Sequence, residues 1–199
     1  MLLSFEGGEG AGKTTLIKRL AKELEAHDHQ VVVTRAPGGT EVGNLIRNIL
    51  LHHKEIGPRT ELLLFLADRA EHVQEVILPA LEQKKIVLCD RYNDSTVAYQ
   101  GVGRGLGEEW ALKLALFATQ NIQPNVTFYL DLDPREGLKR VGRSKDRIEA
   151  AGMTFHEKIR DAYLAIAQKE PKRFHILDAS QSSDKVFQQA CTLILPLIR

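Results

Sequence analysis

The sequence predicts an α/β fold in which a doubly wound, five-stranded parallel sheet is flanked by helices. Short apolar runs alternate along the chain with segments that have a 3.6-residue apolar period, a pattern typical of βαβ units. The apolar runs are continuous, as expected for parallel strands that are buried on both faces. Right-handed crossovers between such strands place helices on both sides of the sheet.

One strand is expected at each apolar run, and the five runs are Leu2–Phe5, Val31–Thr34, Ile86–Cys89, Val126–Leu130 and Phe174–Leu177. Helical periodicity lies between them at Leu16–Leu24, Leu45–Leu51, Leu62–Leu81 and Phe155–Ala167. Pro79 falls inside the third helical segment. Because proline has no amide hydrogen to donate, it should kink this helix or start a new one near Leu78.

Length and composition indicate one soluble globular domain. The chain has 199 residues, of which 43% are apolar and 27% charged, and both fractions are ordinary. A net charge of +1 gives no bulk attraction to nucleic acid or to a membrane. Cys89 and Cys191 are expected to be free thiols in a reducing cytoplasm. The seven histidines have no metal-ligand spacing and are expected to be solvated.

A phosphate-binding loop follows the first strand. Residues 7–14 match the pattern G-x-x-x-x-G-K-T, in which glycines let amide groups surround an anion at the start of a helix. Lys13 would reach the β- and γ-phosphates, and Thr14 would offer its hydroxyl to Mg²⁺. The ATP-binding set is then Gly7, Gly8, Glu9, Gly10, Ala11, Gly12, Lys13, Thr14 and Thr15. A glycine-rich turn without a ligand is the alternative.

Polar residues stand at the carboxyl ends of the first four strands, where α/β sheets bind ligands. Asp90 ends an apolar strand and would hold Mg²⁺ directly or through water, although it could also cap a helix. Arg91 follows it, and its guanidinium suits bidentate contact with a phosphate. A surface salt bridge is the simpler interpretation of Arg91.

A basic cluster lies near the fourth strand. Arg140, Arg143, Lys145 and Arg147 occur within eight residues of one another. A solvated basic loop is the default interpretation of such a run. Arginines can also neutralise charge that spreads over phosphoryl oxygens in the transition state of phosphoryl transfer.

Six motifs, taken together and in this order, resemble those of bacterial thymidylate kinases over almost the whole chain. They are Gly7–Thr15, Arg35–Thr40, Phe65–Arg69, Asp90–Tyr92, Ser95–Gly101 and Asp146–Glu149. The resemblance implies a single P-loop kinase domain over 1–199, of the nucleoside monophosphate kinase type, with a short arginine-bearing lid at about 140–152. It also implies Mg²⁺-dependent transfer of the ATP γ-phosphoryl group to dTMP, giving dTDP and ADP, by a homodimer.

The same resemblance implies a dTMP site formed by Glu9, Arg35, Phe65, Arg69, Arg91, Ser95, Thr96, Tyr99 and Gln100. Phe65 would stack on the thymine ring, and Arg69 would bond its exocyclic oxygen. Glu9 would meet the sugar 3′-hydroxyl, and Tyr99 would occupy the space of a ribose 2′-hydroxyl. Phe65 also falls in a helical apolar register and could simply be a core residue.

For catalysis, the resemblance implies roles for Lys13, Arg91, Arg143, Arg147 and Glu9, with Thr14 and Asp90 holding the metal. Family members that have small residues inside the phosphate loop supply arginine from the lid. This loop contains Gly10-Ala11, so Arg143 and Arg147 are expected to act ahead of Arg140. One departure is Ala36, where relatives usually carry glutamate.

Two alternatives to this function are considered. A kinase of another nucleoside monophosphate would share the fold and the phosphate chemistry, but Phe65, Arg69 and Tyr99 suit a deoxy-pyrimidine pocket. A regulatory GTPase would carry an Asn-Lys-x-Asp segment after a strand, and the sequence has none.

Overall fold

The computed structural model describes residues 1–53, 55–142 and 146–198. Its five strands are β1 (Leu2–Gly7), β2 (Val31–Arg35), β3 (Ile86–Asp90), β4 (Val126–Asp131) and β5 (Phe174–Asp178). They form one parallel sheet in the order β2-β3-β1-β4-β5. The predicted sheet is confirmed, and each strand runs one or two residues further than the apolar run that predicted it.

The helices within the described residues surround this sheet. They are α1 (Lys13–Ala26), α2 (Glu41–His52), α3 (Pro58–His72), α4 (Leu78–Glu82), α5 (Asn93–Thr96), α6 (Glu108–Ala118), α7 (Pro134–Val141), α8 (Met153–Lys169) and α9 (Ser183–Ile194). Two π-helical segments, Val73–Ile77 and Val97–Gly103, continue α3 and α5, and a 3-10 turn, Leu195–Leu197, follows α9. Pro79 was expected to kink the helix or start a new one near Leu78, and α4 does begin at Leu78, although the backbone stays helical there because the π-helical segment runs directly into α4.

Side chains of β1 alternate between the two faces of the sheet. Leu3 and Phe5 pack in the apolar cluster that includes α1 and α9, whereas Leu2 packs with Val73 and Val87 on the opposite side. Ser4 and Glu6 share the face of Leu2 and are fully buried. The central strand therefore places two polar side chains inside the protein, and the second of them lies next to the phosphate loop.

The phosphate loop rests directly on α7, backbone against backbone. Gly10 adopts a left-handed conformation with φ +67°, and a Cβ there would collide with the Gly137 backbone. A Cβ on Gly137 would in turn collide with the carbonyl oxygen of Glu9. Both glycines are thus required by close approach, and α7 fixes the height of the loop above the sheet.

We expect Gly137→Ala to destabilise the protein even though alanine is intrinsically the better helix former by about 1 kcal/mol. The added methyl group meets a backbone oxygen, which has no rotamer to escape to, so the free energy of unfolding should fall by about 1–3 kcal/mol. Urea denaturation measures it. Gly57→Ala is the matched control, because a Cβ at Gly57 meets nothing within 4 Å. A Gly137→Ala variant more stable than the wild type would contradict the close approach.

Candidate functional site

Lys13 folds back over the phosphate loop. It is the first residue of α1, follows Gly12 in a left-handed conformation (φ 93°), and is only 8% exposed. Its Nζ donates hydrogen bonds to the carbonyl oxygens of Gly7 (3.2 Å) and Gly8 (3.0 Å). Burial and the nearby Arg91 lower the pKa of Lys13. The loop's own carbonyl oxygens therefore accept the hydrogen bonds of Lys13, and a phosphate oxygen can replace them as acceptor.

Asp90 and Thr14 face each other beside the loop. The Thr14 hydroxyl lies 3.5 Å from Asp90 Oδ2. Asp90 Oδ1 is buried without a hydrogen-bond partner among the described residues, and an orphaned carboxylate oxygen is a ready ligand for a hard cation. No group of three or more His, Cys, Asp or Glu side chains suited to a metal occurs within residues 1–53, 55–142 and 146–198. The residues present thus fit Mg²⁺, which draws most of its ligands from water and phosphate.

Glu9 and Arg91 form an ion pair at the mouth of the site. Arg91 Nη2 donates to Glu9 Oε1 at 2.6 Å, and the Tyr99 hydroxyl donates to the same oxygen at 3.1 Å. The Arg91 guanidinium also lies 4.9 Å from the centre of the Tyr99 ring. Burial alone would raise the pKa of Glu9, but Arg91 and Lys13 outweigh it and lower that pKa. The pair lies inside the site, so it is not the surface salt bridge of the simpler interpretation.

A cavity of about 780 Å³ joins these groups to the predicted acceptor site. Its lining includes every residue predicted to bind dTMP, namely Glu9, Arg35, Phe65, Arg69, Arg91, Ser95, Thr96, Tyr99 and Gln100. Gly10–Thr15 and Asp90 line the same cavity. The order of the strands explains this convergence, because β1, β2 and β3 are neighbours whose carboxyl ends meet at one edge of the sheet.

Arg69 is held differently from the prediction. Its Nη1 and Nη2 donate to the carbonyl oxygens of Arg91 and Tyr92, both at 3.1 Å, and its guanidinium lies over the Tyr92 ring. Arg69 thus secures the turn after β3. Its contact with a thymine oxygen stays a prediction. Phe65 is half-buried and lines the cavity one helical turn earlier on α3.

Glu6 supports the site from below, a role that the sequence analysis did not assign. Its carboxylate accepts hydrogen bonds from the Tyr92 amide (2.7 Å), Ser95 Oγ (2.5 Å) and the Tyr163 hydroxyl (2.8 Å). Burial and the nearby Asp94 raise the pKa of Glu6 to about 7. The feature of the sequence that could have indicated this role is the position of Glu6, a carboxylate at the end of an apolar strand. Ser95 lines the cavity as predicted, with its hydroxyl committed to Glu6.

Two further residues that the sequence analysis missed hold the loop after β2. Asp68 Oδ1 accepts a hydrogen bond from the Gly38 amide at 2.8 Å. Arg47 Nη1 donates to the Pro37 carbonyl at 2.9 Å, and Arg47 lines the cavity. Arg47 comes from a helix that gave only an apolar periodicity in the sequence, whereas Asp68 lies within the motif Phe65–Arg69, in which only Phe65 and Arg69 were assigned roles.

The lid arginines occupy different surroundings. Arg143 and Lys145 lie outside the described residues. Arg140 Nη1 lies 3.4 Å from the Gly10 carbonyl oxygen of the phosphate loop. Arg147 instead pairs with Glu61, with Nη1 2.6 Å from Oε2. Among the described residues of this basic cluster, Arg140 is the arginine that contacts the phosphate loop, and the priority expected for Arg143 stays a prediction.

The expectation that all histidines are solvated is wrong for His72 and His156, which are buried. His72 Nε2 lies 2.6 Å from Thr34 Oγ1, and its ring leaves no space for a side chain at Gly39. Burial and the adjacent Arg69 lower the pKa of His72 to about 3. His72 is thus a neutral core residue that buttresses the loop after β2.

Cys89 and Cys191 are free, as predicted, and burial raises the pKa of the Cys89 thiol. Among the described residues, no helix is both long and apolar enough to cross a membrane.

We expect the neutral His72 to make the protein sensitive to acid. Between its ordinary pKa of 6.5 and about 3, the unfolded chain binds a proton that the folded chain does not. The contribution of neutral His72 to the free energy of unfolding is therefore fully present above pH 6.5. It is lost as the pH falls below 6.5, at roughly 1.4 kcal/mol per pH unit. His72→Gln should remove this dependence, measured as the difference in unfolding free energy from the wild type at pH 7, 6 and 5. The exposed His53 provides the control, His53→Gln, and equal slopes for wild type and His72→Gln would contradict the assignment.

Comparison with known proteins agrees with the geometry of the site. The family model described as thymidylate kinase matches residues 5–190. A thymidylate kinase of Bifidobacterium longum subsp. infantis is 47% identical over 204 residues, covering 100% of this chain and 88% of the relative. One of Desulfovibrio desulfuricans is 46% identical over 210 residues, covering 100% and 97%. The crystal structure of thymidylate kinase from Ehrlichia chaffeensis aligns with a TM-score of 0.82 at 33% identity, covering 98% of both chains. The chain belongs to the thymidylate kinase family.

Proposed function

We propose that the protein transfers the γ-phosphoryl group of Mg²⁺-ATP to dTMP, giving dTDP and ADP for dTTP synthesis. The observation that carries the proposal is that residues of the phosphate loop and all nine residues expected to hold dTMP line one cavity. Donor and acceptor would lie end to end in this cavity, so the reaction would depend on alignment and charge neutralisation.

ATP would lie with its phosphates in the loop formed by Gly7–Thr15. Lys13 would exchange the carbonyl oxygens of Gly7 and Gly8 for oxygens of the β- and γ-phosphates, staying close to its present position. The amide groups at the start of α1 would add to the attraction for the anion. Lys13 is thus proposed to be a catalytic residue that neutralises the moving phosphoryl group.

Thr14 and Asp90 would hold Mg²⁺. Bound there, the ion would neutralise charge on the phosphate oxygens. The departure at Ala36 bears on this site, because Ala36 is buried and donates its amide to the Asp90 carbonyl at 2.9 Å. Because alanine at position 36 has no carboxylate, Asp90 and Thr14 are proposed as the protein groups that hold the metal.

The nucleoside of dTMP would lie between α3 and the segment that follows α5. Phe65 would stack on the base, while Arg69, Thr96 and Gln100 border it. Tyr99 would fill the space where a ribose carries its 2′-hydroxyl, so a ribonucleotide would be excluded by contact with a ring that is 5% exposed.

The phosphate of dTMP would displace part of the ion pair at the mouth of the site. Arg91 would turn from Glu9 towards the phosphate and bind it together with Arg35. Glu9 would then accept a hydrogen bond from the sugar 3′-hydroxyl. No general base is needed, because a phosphate monoester is largely dianionic at neutral pH. Arg143 is proposed to approach the transferred group from the lid, and a closed lid would keep water out.

The first test is ADP production with Mg²⁺-ATP and, in parallel, dTMP, dUMP, UMP, CMP, AMP and GMP. We expect the highest kcat/KM with dTMP. Lys13→Met serves as the inactive reference and should lower turnover by about a hundredfold or more. A preference for another monophosphate would contradict the pocket formed by Phe65, Arg69 and Tyr99 while keeping the phosphate site. Wild-type turnover of Lys13→Met would contradict the role of the lysine.

We also propose that the protein is a homodimer. Several large apolar side chains are exposed on α2, α3 and α6, which pack side by side, and they are Leu45, Ile49, Leu63, Trp110 and Phe117. Phe117 is 83% exposed. Apolar patches on neighbouring elements are typical of protein interfaces, and a second copy of the chain would cover this one.

Sedimentation velocity tests the dimer. The wild type should sediment as twice the chain mass of 22.3 kDa, and Phe117→Glu should shift it to one chain, since a buried charge would disfavour the interface. Ile176→Glu is the control, because Ile176 is an exposed apolar residue on the edge strand β5. A monomeric wild type would refute the proposal.

A cytoplasmic location is proposed as well. It is supported by the two free thiols, which suit a reducing compartment. A role in nucleotide synthesis suits the same compartment.

A further inference from the structure

The carboxylate of Glu61 is the centre of a buried polar cluster beside the cavity. Glu61 lies in the first turn of α3 and is fully buried. Its Oε1 accepts hydrogen bonds from Gln100 Nε2 (2.9 Å) and Arg104 Nε (3.1 Å). Its Oε2 accepts them from Arg104 Nη2 (3.1 Å) and Arg147 Nη1 (2.6 Å). Four donors from three side chains therefore satisfy one buried carboxylate, as a buried charge requires.

The three partners of Glu61 belong to two parts of the site. Gln100 lies in the π-helical segment that carries Tyr99, and Arg104 follows the end of that segment. Arg104 also lies over the Phe155 ring at 4.3 Å, and Phe155 meets the edge of Tyr99. Arg147 belongs to the lid. Glu61 thus joins the nucleoside pocket and the lid through a single side chain.

Arg147 holds the end of the lid with three hydrogen bonds, while its Nη2 is buried without a partner among the described residues. Besides its bond to Glu61, its Nε donates to the Leu50 carbonyl at 2.9 Å, and its backbone amide donates to the Leu51 carbonyl at 3.2 Å. To reach a phosphate, this guanidinium would have to abandon both a buried carboxylate and a backbone oxygen of α2. Its geometry is that of an anchor.

The turn around Arg147 is itself well fixed. Asp146 Oδ1 accepts hydrogen bonds from the amides of Ile148 (2.8 Å) and Glu149 (2.9 Å). Glu149 Oε2 accepts one from the Asp146 amide at 3.0 Å. Ile148 is buried in the apolar cluster that contains Tyr99 and Tyr163. The anchor therefore holds a defined turn against the pocket.

We propose that Glu61 is a positioning residue that couples the lid to the nucleoside pocket, and that Arg147 acts by anchoring the lid on Glu61 instead of contacting the transferred phosphoryl group. The effect on catalysis rests on the proposed function, because it takes the cavity to be the dTMP site. The anchoring itself rests on the contacts alone.

A double-mutant cycle tests the coupling. Glu61→Gln, Arg147→Met and the double variant are compared in kcat and KM for dTMP. Each single change should lower kcat/KM by about tenfold or more, and the double variant should be within about twofold of the weaker single variant, because both remove one unit. Glu109→Gln is the matched control, since Glu109 has an exposed ion pair with Lys113. If Arg147 contacted the phosphate directly, Glu61→Gln would stay near the wild type in kcat/KM, or the double variant would show the product of the two single effects. Either result overturns the proposal.

Hydrogen exchange in the nucleotide-free protein gives a readout independent of activity. Both single variants should raise amide exchange in residues 146–152, and Glu61→Gln should also raise it in 97–104, where Arg147→Met should leave it unchanged. Unchanged exchange in 146–152 in both variants overturns the anchor. Should Glu61→Gln fail to fold, Arg147→Met and Arg147→Lys give the same exchange test. A wild type that leaves dTMP unreacted would refute the proposed function alone, while exchange still decides the anchor.

Discussion

The buried carboxylate of Glu6 is the interaction on which the architecture of the site depends. It sits at the end of the central strand and accepts hydrogen bonds from the Tyr92 amide, Ser95 Oγ and the Tyr163 hydroxyl. These donors come from the turn after β3, from α5 and from α8, so one acceptor ties β1 to three other parts of the fold. A buried carboxylate is costly without such partners. The local chain path after β3 is therefore constrained to bring its donors to Glu6.

Much of the fold could be predicted because its signals are local. Buried parallel strands need continuous apolar runs, so five runs predicted five strands, and the missing amide of Pro79 predicted the start of α4. The convergence of Glu9, Arg35, Asp90 and Arg91 also follows from the sequence, since each lies just after or at the end of a strand, whereas the helical residues of the predicted dTMP site came from the family resemblance. The arrangement of Phe65 and Arg69 on one face of α3 follows from helical spacing.

What the sequence could not provide is the choice of partner for each charge. Arg91 could have met solvent, phosphate or a carboxylate, and only the three-dimensional arrangement pairs it with Glu9. Arg147 lies 86 residues from Glu61 along the chain, and no periodicity links the two. His72 was expected to be solvated because the histidines have no metal-ligand spacing, whereas its burial depends on packing against Thr34 and Gly39. Such pairings are tertiary facts that residue patterns do not encode.

The internal bonds of Lys13 have a consequence for which anions the loop retains. Because its ammonium is bonded to the Gly7 and Gly8 carbonyl oxygens, Lys13 offers an anion less attraction than its formal charge suggests. A single small anion, such as inorganic phosphate, gains little by breaking those bonds and must also displace water. A polyphosphate chain that spans the loop replaces both hydrogen bonds of Lys13 at once. Its own contacts with the loop then gain more free energy than the loss of those bonds costs. The internal hydrogen bonds of Lys13 thus compete with anion binding, and only a long anion replaces them with enough new contacts. This favours triphosphates over the abundant small anions of the cell.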